Sequence, residues 1–236
     1  MISFLFFVFQ ILAETADNII RETGKIFRRE QHMKPLMKKR ERDVLIGLLK
    51  IMKPEKVLEW GCGYSTLYYP GYLKKNAAWL AIEHNAGWAQ KIIPLNKDPR
   101  VVIKLLPPEN TEWADKSRDG TADDFRAYIS HPREKYDFII IDGRARMDCL
   151  SHCRTILNGG GIILLHDANR DEYAAGFSLF PKFILLRDYR HDKGGFAAFG
   201  RDLSDPVMNF LNLQKKIFGF YGPTLAAFFR QFHHEI

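Results

Sequence analysis

The chain has 236 residues, of which 46% are hydrophobic, so it is long enough to bury a full core in one α/β domain. Lysine and arginine total 35 against 28 acidic residues, for a net charge of +7. This balance favours anionic partners such as phosphates, glycans or membrane surfaces, without choosing among them. The three cysteines, Cys62, Cys149 and Cys153, exclude a disulfide framework in a chain of this length and favour a reducing, cytoplasmic compartment.

The first predicted element is an apolar helix over residues 2–30, which begins with MISFLFFVFQILA at residues 1–13. The apolar run is shorter than the roughly 20 residues that span a bilayer, and it lacks the basic start of a secretory signal. We expect it to pack on its own domain or on a second copy of the chain. The alternative is a shallow anchor on an anionic membrane through residues 1–42, because basic residues follow the apolar helix.

Strands and helices alternate regularly after a second predicted helix. Short apolar runs bounded by turns predict strands, and polar caps followed by helical periodicity predict helices. Pro70 is expected to bend or shorten the helix that contains it, because proline lacks the backbone N–H. Strands are predicted at residues 56–60, 78–83, 100–106, 136–142 and 161–167, and helices at 41–52, from Ser65, at 85–93, near 122–129, at 146–157 with its end at Gly159–Gly161, and at 171–180.

Residues 182–189 and 194–200 flank a polar turn and are predicted to form a closing antiparallel pair. The predicted fold class is therefore α/β: a doubly wound, mostly parallel seven-stranded sheet with a C-terminal antiparallel hairpin, plus N- and C-terminal helices. The predicted organisation is an N-terminal helical segment at 1–52, a central domain at 53–202 and a C-terminal helical extension at 203–236. The terminal helices suit a homodimer.

A glycine turn follows the first predicted strand, at the end of the sheet where ligands bind in doubly wound folds. Glu59 precedes the turn, and Gly61 and Gly63 lie within it. A dinucleotide site has a third glycine in the region of Ser65 and Thr66, which this chain lacks. Glu59 would also repel a phosphate and suit a cation.

Glu83 ends the second predicted strand, at the distance from the turn where a carboxylate reaches ribose hydroxyls. A ligand with a ribose, an adenine and a cationic amino-acid tail meets these demands together. S-adenosylmethionine has all three parts.

The stretches EWGCGYST, IEHN, IDGRAR and GGGIILLHD resemble the motifs of class I S-adenosylmethionine-dependent methyltransferases, near the small-molecule and sugar O-methyltransferases, over roughly residues 55–200. The resemblance implies a Rossmann-like fold and methyl transfer to an oxygen or nitrogen atom of a small polar, glycan or lipid-linked acceptor. It implies that the turn holds the methionine tail and that Glu83 holds the ribose. The predicted cofactor-binding residues are Glu59, Gly61, Cys62, Gly63, Ser65, Glu83 and Asp142.

Asp142, His166 and Asp167 end the fourth and fifth predicted strands and are the candidate catalytic residues. A hydroxyl acceptor needs a base or a metal, and histidine has a suitable pKa for a base, although it can equally be structural. Asp142 and Asp167 resemble the Mg²⁺ site of catechol-type O-methyltransferases. Ala168 separates Asp167 from Asn169 and breaks that pattern, so Mg²⁺ is disfavoured and no metal ligand is assigned.

Trp88 and Trp113 are candidates to stack on the adenine, with ordinary packing as the alternative. Arg144, Arg146 and Arg170 follow the fourth and fifth strands. Because arginine forks suit carboxylates and phosphates, an acidic small-molecule or glycan acceptor is expected, with surface salt bridges as the alternative.

Two other functions stay open: an NAD(P)-binding Rossmann oxidoreductase, and a non-catalytic, membrane-associated binding protein with a methyltransferase fold. Nucleic acid is disfavoured, because Asp142-Gly143-Arg144 stands where base-modifying methyltransferases have an Asn/Asp-Pro-Pro-aromatic run, and no RNA-binding module is visible. The basic residues between 34 and 40 are predicted to belong to an acceptor-binding cap.

Overall fold

The structure is a computed structural model that describes residue 16, residues 34–110, residue 113, residues 119–189 and residues 194–219. The membrane anchor or packing helix predicted at residues 1–13, and residues 220–236, lie outside the described residues. Seven strands are described: β1 (Lys56–Trp60), β2 (Ala78–Glu83), β3 (Val101–Leu105), β4 (Tyr136–Ile141), β5 (Leu157–His166), β6 (Lys182–Leu186) and β7 (Phe196–Gly200). Six α-helices are described: α1 (Lys39–Met52), α2 (Tyr64–Tyr68), α3 (Ala86–Ile92), α4 (Arg126–Ser130), α5 (Arg146–Ile156) and α6 (Asp205–Gly219).

The strands form one sheet in the order β3-β2-β1-β4-β5-β7-β6. Strands β1 to β5 pair in parallel, whereas β7 pairs antiparallel with both β5 and β6. This confirms the predicted fold class, including the closing antiparallel pair. The strand order reverses between β1 and β4, and a crevice at the carboxyl ends of the strands is expected there.

Both faces of the sheet are covered, and alternate residues of the central strands serve the two cores. Val57 of β1 belongs to one core, together with residues of α1 and α6. Leu58, the next residue, belongs to the opposite core, together with residues of α4 and α5. A strand enclosed in this way has no solvent-exposed face, which explains the apolar run over residues 138–141 of β4. Asp137, near the start of the strand, is only partly buried.

Pro70 changes the first helix after β1, as predicted. Helix α2 ends at Tyr68, and a single 3₁₀ turn over Tyr69–Tyr72 follows, because proline cannot donate the backbone bond that would continue the α-helix. The prediction for Gly159–Gly161 was wrong. These residues do not end a helix but lie within β5. The pairing register of β4 and β5 shifts at this point and absorbs the extra residues.

Helix α1 is part of the folded body rather than a separate appendage. Its apolar face joins the same core as the sheet, and three consecutive charged residues, Arg40, Glu41 and Arg42, are buried. The guanidinium of Arg40 donates to the carbonyl of Ile217 in α6. The predicted boundaries at residues 52 and 202 stay predictions. Among the described helices, none combines the length and apolar character that crossing a membrane requires.

Candidate functional site

A cavity of about 760 Å³ lies at the carboxyl ends of β1, β2 and β4, where the strand order reverses. Six of the seven predicted cofactor-binding residues line this cavity, and Glu59 is the exception. The lining residues are Leu36, Met37, Gly61, Cys62, Gly63, Tyr64, Ser65, Glu83, His84, Asn85, Ala86, Trp88, Pro108, Trp113, Asp142, Gly143, Arg144 and Arg146.

The turn after β1 uses its backbone donors within the protein. The N–H of Gly61 donates to the carbonyl of Ile82 at 2.8 Å, and the N–H of Cys62 donates to Glu83 Oε2 at 2.9 Å. The N–H of Gly63 donates to Thr66 Oγ1 at 3.0 Å. A phosphate cradle offers such N–H groups to its ligand, so this turn is not built as one.

Glu59 lies beneath the turn and not in the cavity, which differs from the predicted contact with the cofactor. It is fully buried. One carboxylate oxygen accepts from Ser65 Oγ at 2.5 Å, and the other accepts from Thr66 Oγ1 at 2.6 Å and from Trp79 Nε1 at 3.0 Å. Burial raises the pKa of Glu59 to about 7, against the opposing effect of these three donors. Glu59 therefore stabilises the conformation of the turn through these hydrogen bonds.

Glu83 lines the cavity and is held by backbone donors on both sides. Its Oε1 accepts from the N–H groups of His84 at 3.0 Å and Asn85 at 2.7 Å, while Oε2 accepts from the turn. Asn85 then caps α3 through a bond from the Trp88 N–H at 2.9 Å, as predicted. The carboxylate is thus fixed at the cavity wall.

His84 was not predicted as a site residue, yet it lines the cavity next to Glu83. Its ring packs edge-on against Phe125, with 5.6 Å between ring centroids, and against Trp113 at 5.9 Å. Its position directly after the strand-end acid was the available sequence signal.

The two glycines of the turn, Gly61 and Gly63, differ in what a side chain would meet at each position. Gly61 has a φ of +94°, and a Cβ there would meet the backbone of Gly143 at 2.8 Å. Gly63 is extended, and a Cβ there would lie 3.7 Å from Ser65 Oγ and 3.8 Å from the Trp88 ring, both in the cavity lining. The first glycine is required by the fold, whereas the second leaves room in the cavity.

Both predicted stacking residues, Trp88 and Trp113, line the cavity. Trp88 Nε1 donates to the carbonyl of Cys62 at 2.7 Å, which fixes its ring beside the turn. The guanidinium of Arg144 lies 5.5 Å from the centre of the Trp113 ring. These contacts give the cavity two aromatic walls and a cationic group at one of them.

His166, the candidate base, lies between two carboxylates. Its Nδ1 is 2.8 Å from Asp142 Oδ1, and its Nε2 is 3.2 Å from Glu41 Oε2. Burial alone would lower the pKa of His166, but the two carboxylates outweigh it and raise the pKa to about 10. The raised pKa favours the imidazolium at neutral pH, a form that donates from both nitrogens and that disfavours the predicted role as a base.

The two partners of His166 are correspondingly acidic. Burial would raise the pKa of Glu41, but His166 and Lys38 lower it to about 2. Burial likewise opposes the shift at Asp142, where the charge of His166 and then Arg146 lower the pKa. Glu41 comes from α1 and also accepts from the backbone N–H groups of Lys38 and Gly195, both at 2.9 Å.

Arg146 is buried beside the candidate catalytic acids. One terminal nitrogen of its guanidinium lies 3.2 Å from Asp142 Oδ1, and the other lies 3.5 Å from Asp167 Oδ2. Asp167 also accepts from Arg170 at 3.0 Å. Asp142, His166 and Asp167 converge, with ligand-type atoms within 4.8 Å of one another, but Arg146 bridges the two acids.

The segment before α1 contributes apolar rather than basic residues to the cavity. Leu36 and Met37 line it. Of the basic residues predicted to form a cap, Lys38 pairs with Asp188 at 3.0 Å and Arg40 is buried. None of these basic residues is among the cavity-lining residues, so an acceptor-binding cap formed by them stays a prediction.

Comparison with known proteins identifies the fold. The chain has 14% identity and a TM-score of 0.52 with a provisionally assigned caffeoyl-CoA O-methyltransferase from Staphylococcus aureus, covering 83% of this chain and all of that one. With TomG, an O-methyltransferase from Streptomyces achromogenes solved with S-adenosylmethionine, the identity is 12% and the TM-score 0.50, over 78% and 96% of the two chains.

A provisionally assigned O-methyltransferase from Klebsiella pneumoniae has 16% identity and a TM-score of 0.50, over 78% of this chain and 97% of that one. No family model and no curated protein sequence matches the chain. The protein has the class I methyltransferase fold, as the sequence motifs predicted.

Proposed function

We propose that the protein is an S-adenosylmethionine-dependent methyltransferase that acts on an oxygen or nitrogen atom of a small polar acceptor. The observation that supports it best is the turn after β1. Its three N–H groups at residues 61–63 are bonded within the chain, and the Glu59 carboxylate lies beneath them. Such a turn disfavours the pyrophosphate of a nicotinamide dinucleotide and suits a ligand without one.

The cavity fits the proposed cofactor. Gly63 leaves space beside the turn, and Glu83 Oε2, which accepts one backbone N–H, can accept a ribose hydroxyl as well. We assign the amino-acid part of the cofactor to residues 61–65, the ribose to Glu83 and the adenine to the wall of His84 and Trp113. When bound, S-adenosylmethionine supplies an electrophilic methyl group on a sulfonium.

The protein's own part in the reaction is mainly alignment and charge. Alignment of nucleophile and methyl group supplies a large share of the rate in such displacements. Asp142 lines the cavity as an anion, because its pKa is lowered by His166 and Arg146 against the effect of burial. His166 holds that anion in place rather than taking a proton from the acceptor.

An acidic acceptor suits this arrangement. Arg144 presents a cation at the cavity wall beside Trp113, and an oxygen that is already ionised needs no base to become a nucleophile. We therefore propose a small molecule with a carboxylate or a similarly acidic oxygen as the methyl acceptor.

Calorimetry separates this function from the oxidoreductase alternative. S-adenosylhomocysteine should bind the wild-type protein with one-to-one stoichiometry, and NAD⁺ should not. Glu83→Gln should weaken S-adenosylhomocysteine binding at least about tenfold, since charge-assisted hydrogen bonds to ribose are lost. Glu134→Gln is the matched control, because Glu134 is exposed and pairs with Lys56 at the opposite end of the sheet. Tight NAD⁺ binding, or equal affinity of the two variants, would reject the assignment.

The remaining expectations on location and partners stay proposals. The three cysteines are free and buried, which suits a reducing compartment such as the cytoplasm. Contact of residues 1–42 with an anionic membrane can be measured by liposome flotation of the full chain and of a chain without residues 1–13. A homodimer through the terminal helices can be measured by light scattering.

A further inference from the structure

The guanidinium of Arg146 is fixed at the centre of the strand-end acids by bonds that do not depend on those acids. Its Nε donates to the carbonyl of Gly143 at 3.0 Å. Its two terminal nitrogens donate to the carbonyls of His166 at 2.6 Å and Asp142 at 3.3 Å. The backbone ends of β4 and β5 thus clamp the group from three sides.

The same group reaches both side-chain carboxylates. Its contacts with Asp142 Oδ1 at 3.2 Å and Asp167 Oδ2 at 3.5 Å bring one positive charge between the two acids. His166 would be the third ligand of a metal in this cluster, but its two ring nitrogens already face carboxylates, Asp142 at 2.8 Å and Glu41 at 3.2 Å. A divalent cation would therefore have to displace a carboxylate from the histidine and the guanidinium from the two acids.

The cluster belongs to a wider network of ion pairs. Asp119 lies 3.9 Å from the Arg146 guanidinium, and Lys38 lies 3.9 Å from Glu41. A divalent cation would have to break pairs of this network at a largely buried position, which is unfavourable.

We propose that Arg146 is a built-in cation of the reaction centre, which holds Asp142 and Asp167 together and closes the space between them to a divalent metal. The residues do not fit the Mg²⁺ site that the two strand-end acids suggest in the sequence. The guanidinium gives the centre a fixed positive charge that neither dissociates nor depends on metal supply. The role of this charge in methyl transfer rests on the proposed function, whereas the exclusion of a divalent metal does not.

Manganese binding followed by electron paramagnetic resonance tests the proposal, because Mn²⁺ takes the same oxygen ligands as Mg²⁺. The wild-type protein should show no saturable one-to-one Mn²⁺ site. Arg146→Ala should gain one, at least about tenfold tighter than any wild-type binding, because two carboxylates lose their shared cation. The double variant Arg146→Ala/Asp167→Asn should lose it again.

Arg144→Ala is the matched control, because it removes the same charge two residues away and should gain no Mn²⁺ site. Arg146→Gln serves if Arg146→Ala does not fold by circular dichroism, since its amide keeps some bonds to the strand-end carbonyls. A saturable wild-type site that Asp142→Asn abolishes would overturn the proposal, as would a folded Arg146 variant without any gain. The measurement needs neither cofactor nor acceptor, so its failure is distinct from failure of S-adenosylhomocysteine binding.

Discussion

Glu41→Gln is predicted to destabilise the protein in a pH-dependent way, because Glu41 is one of two carboxylates that face the buried His166 imidazolium. The pKa of His166 is raised from 6.5 to about 10 against the effect of burial. At about 1.4 kcal/mol per pKa unit, the net effect is about 5 kcal/mol. Because Asp142 still faces the imidazolium in the variant, the loss of Glu41 should remove only a part of this, on the order of 2 kcal/mol.

The sign follows from proton binding. The folded pKa of His166 lies above its unfolded value, so its contribution to stability is complete below pH 6.5 and is lost as the pH rises toward 10. Glu41 stays ionised across that window, because its pKa is lowered to about 2. The difference in the free energy of unfolding between wild type and Glu41→Gln should therefore be about 2 kcal/mol larger below pH 6.5 than at pH 10.

Urea denaturation at the two pH values measures this difference, and groups that titrate in both proteins cancel. Asp43→Asn on the same helix is the control, because its exposed pair with Lys39 should contribute no more than about 0.5 kcal/mol at either pH. If Glu41→Gln lowers the free energy of unfolding equally at both pH values, His166 is not held as an imidazolium between Glu41 and Asp142.

Two further predictions concern the turn after β1. Gly63→Ala should weaken S-adenosylhomocysteine binding about tenfold in calorimetry and should leave the free energy of unfolding within about 0.5 kcal/mol of wild type, since the extended backbone of Gly63 suits any residue. Gly71→Ala is the control and should change neither quantity, because no atom lies within 4 Å of the new Cβ. Equal affinities of Gly63→Ala and wild type would show that the ligand binds elsewhere. Thr66→Val should cost about 1–3 kcal/mol in urea denaturation, because Thr66 Oγ1 accepts from Gly63 and donates to Glu59. Thr66→Ser keeps the hydroxyl and should cost less, and a Thr66→Val variant as stable as Thr66→Ser would contradict the role of the hydroxyl.

The sheet was predictable from the sequence because its strands are enclosed on both faces. Residues 138–141 of β4 form a continuous apolar run, and the boundaries of β1 and β2 follow from the polar residues beside them. The start of β5 was not predictable, since a glycine run that normally ends a helix is here absorbed by a register shift within the sheet. Local pattern cannot show a choice that depends on strand pairing.

The candidate site was predictable where residue type and strand end coincide, as at Glu83 and Asp142. The environment of those residues was not. Glu41 lies 125 positions from His166, and only the packing of α1 against the sheet brings them together. The sequence likewise indicated that Arg146 borders the cleft, but not that its guanidinium is bonded inward between two acids.

A crystal structure with S-adenosylhomocysteine tests the cofactor assignment. The ligand should lie in the cavity lined by the turn after β1, with its ribose on Glu83, its amino-acid part at residues 61–65 and its sulfur toward Asp142. A ligand bound outside this cavity, or a ribose without contact to Glu83, would show that the assignment is wrong.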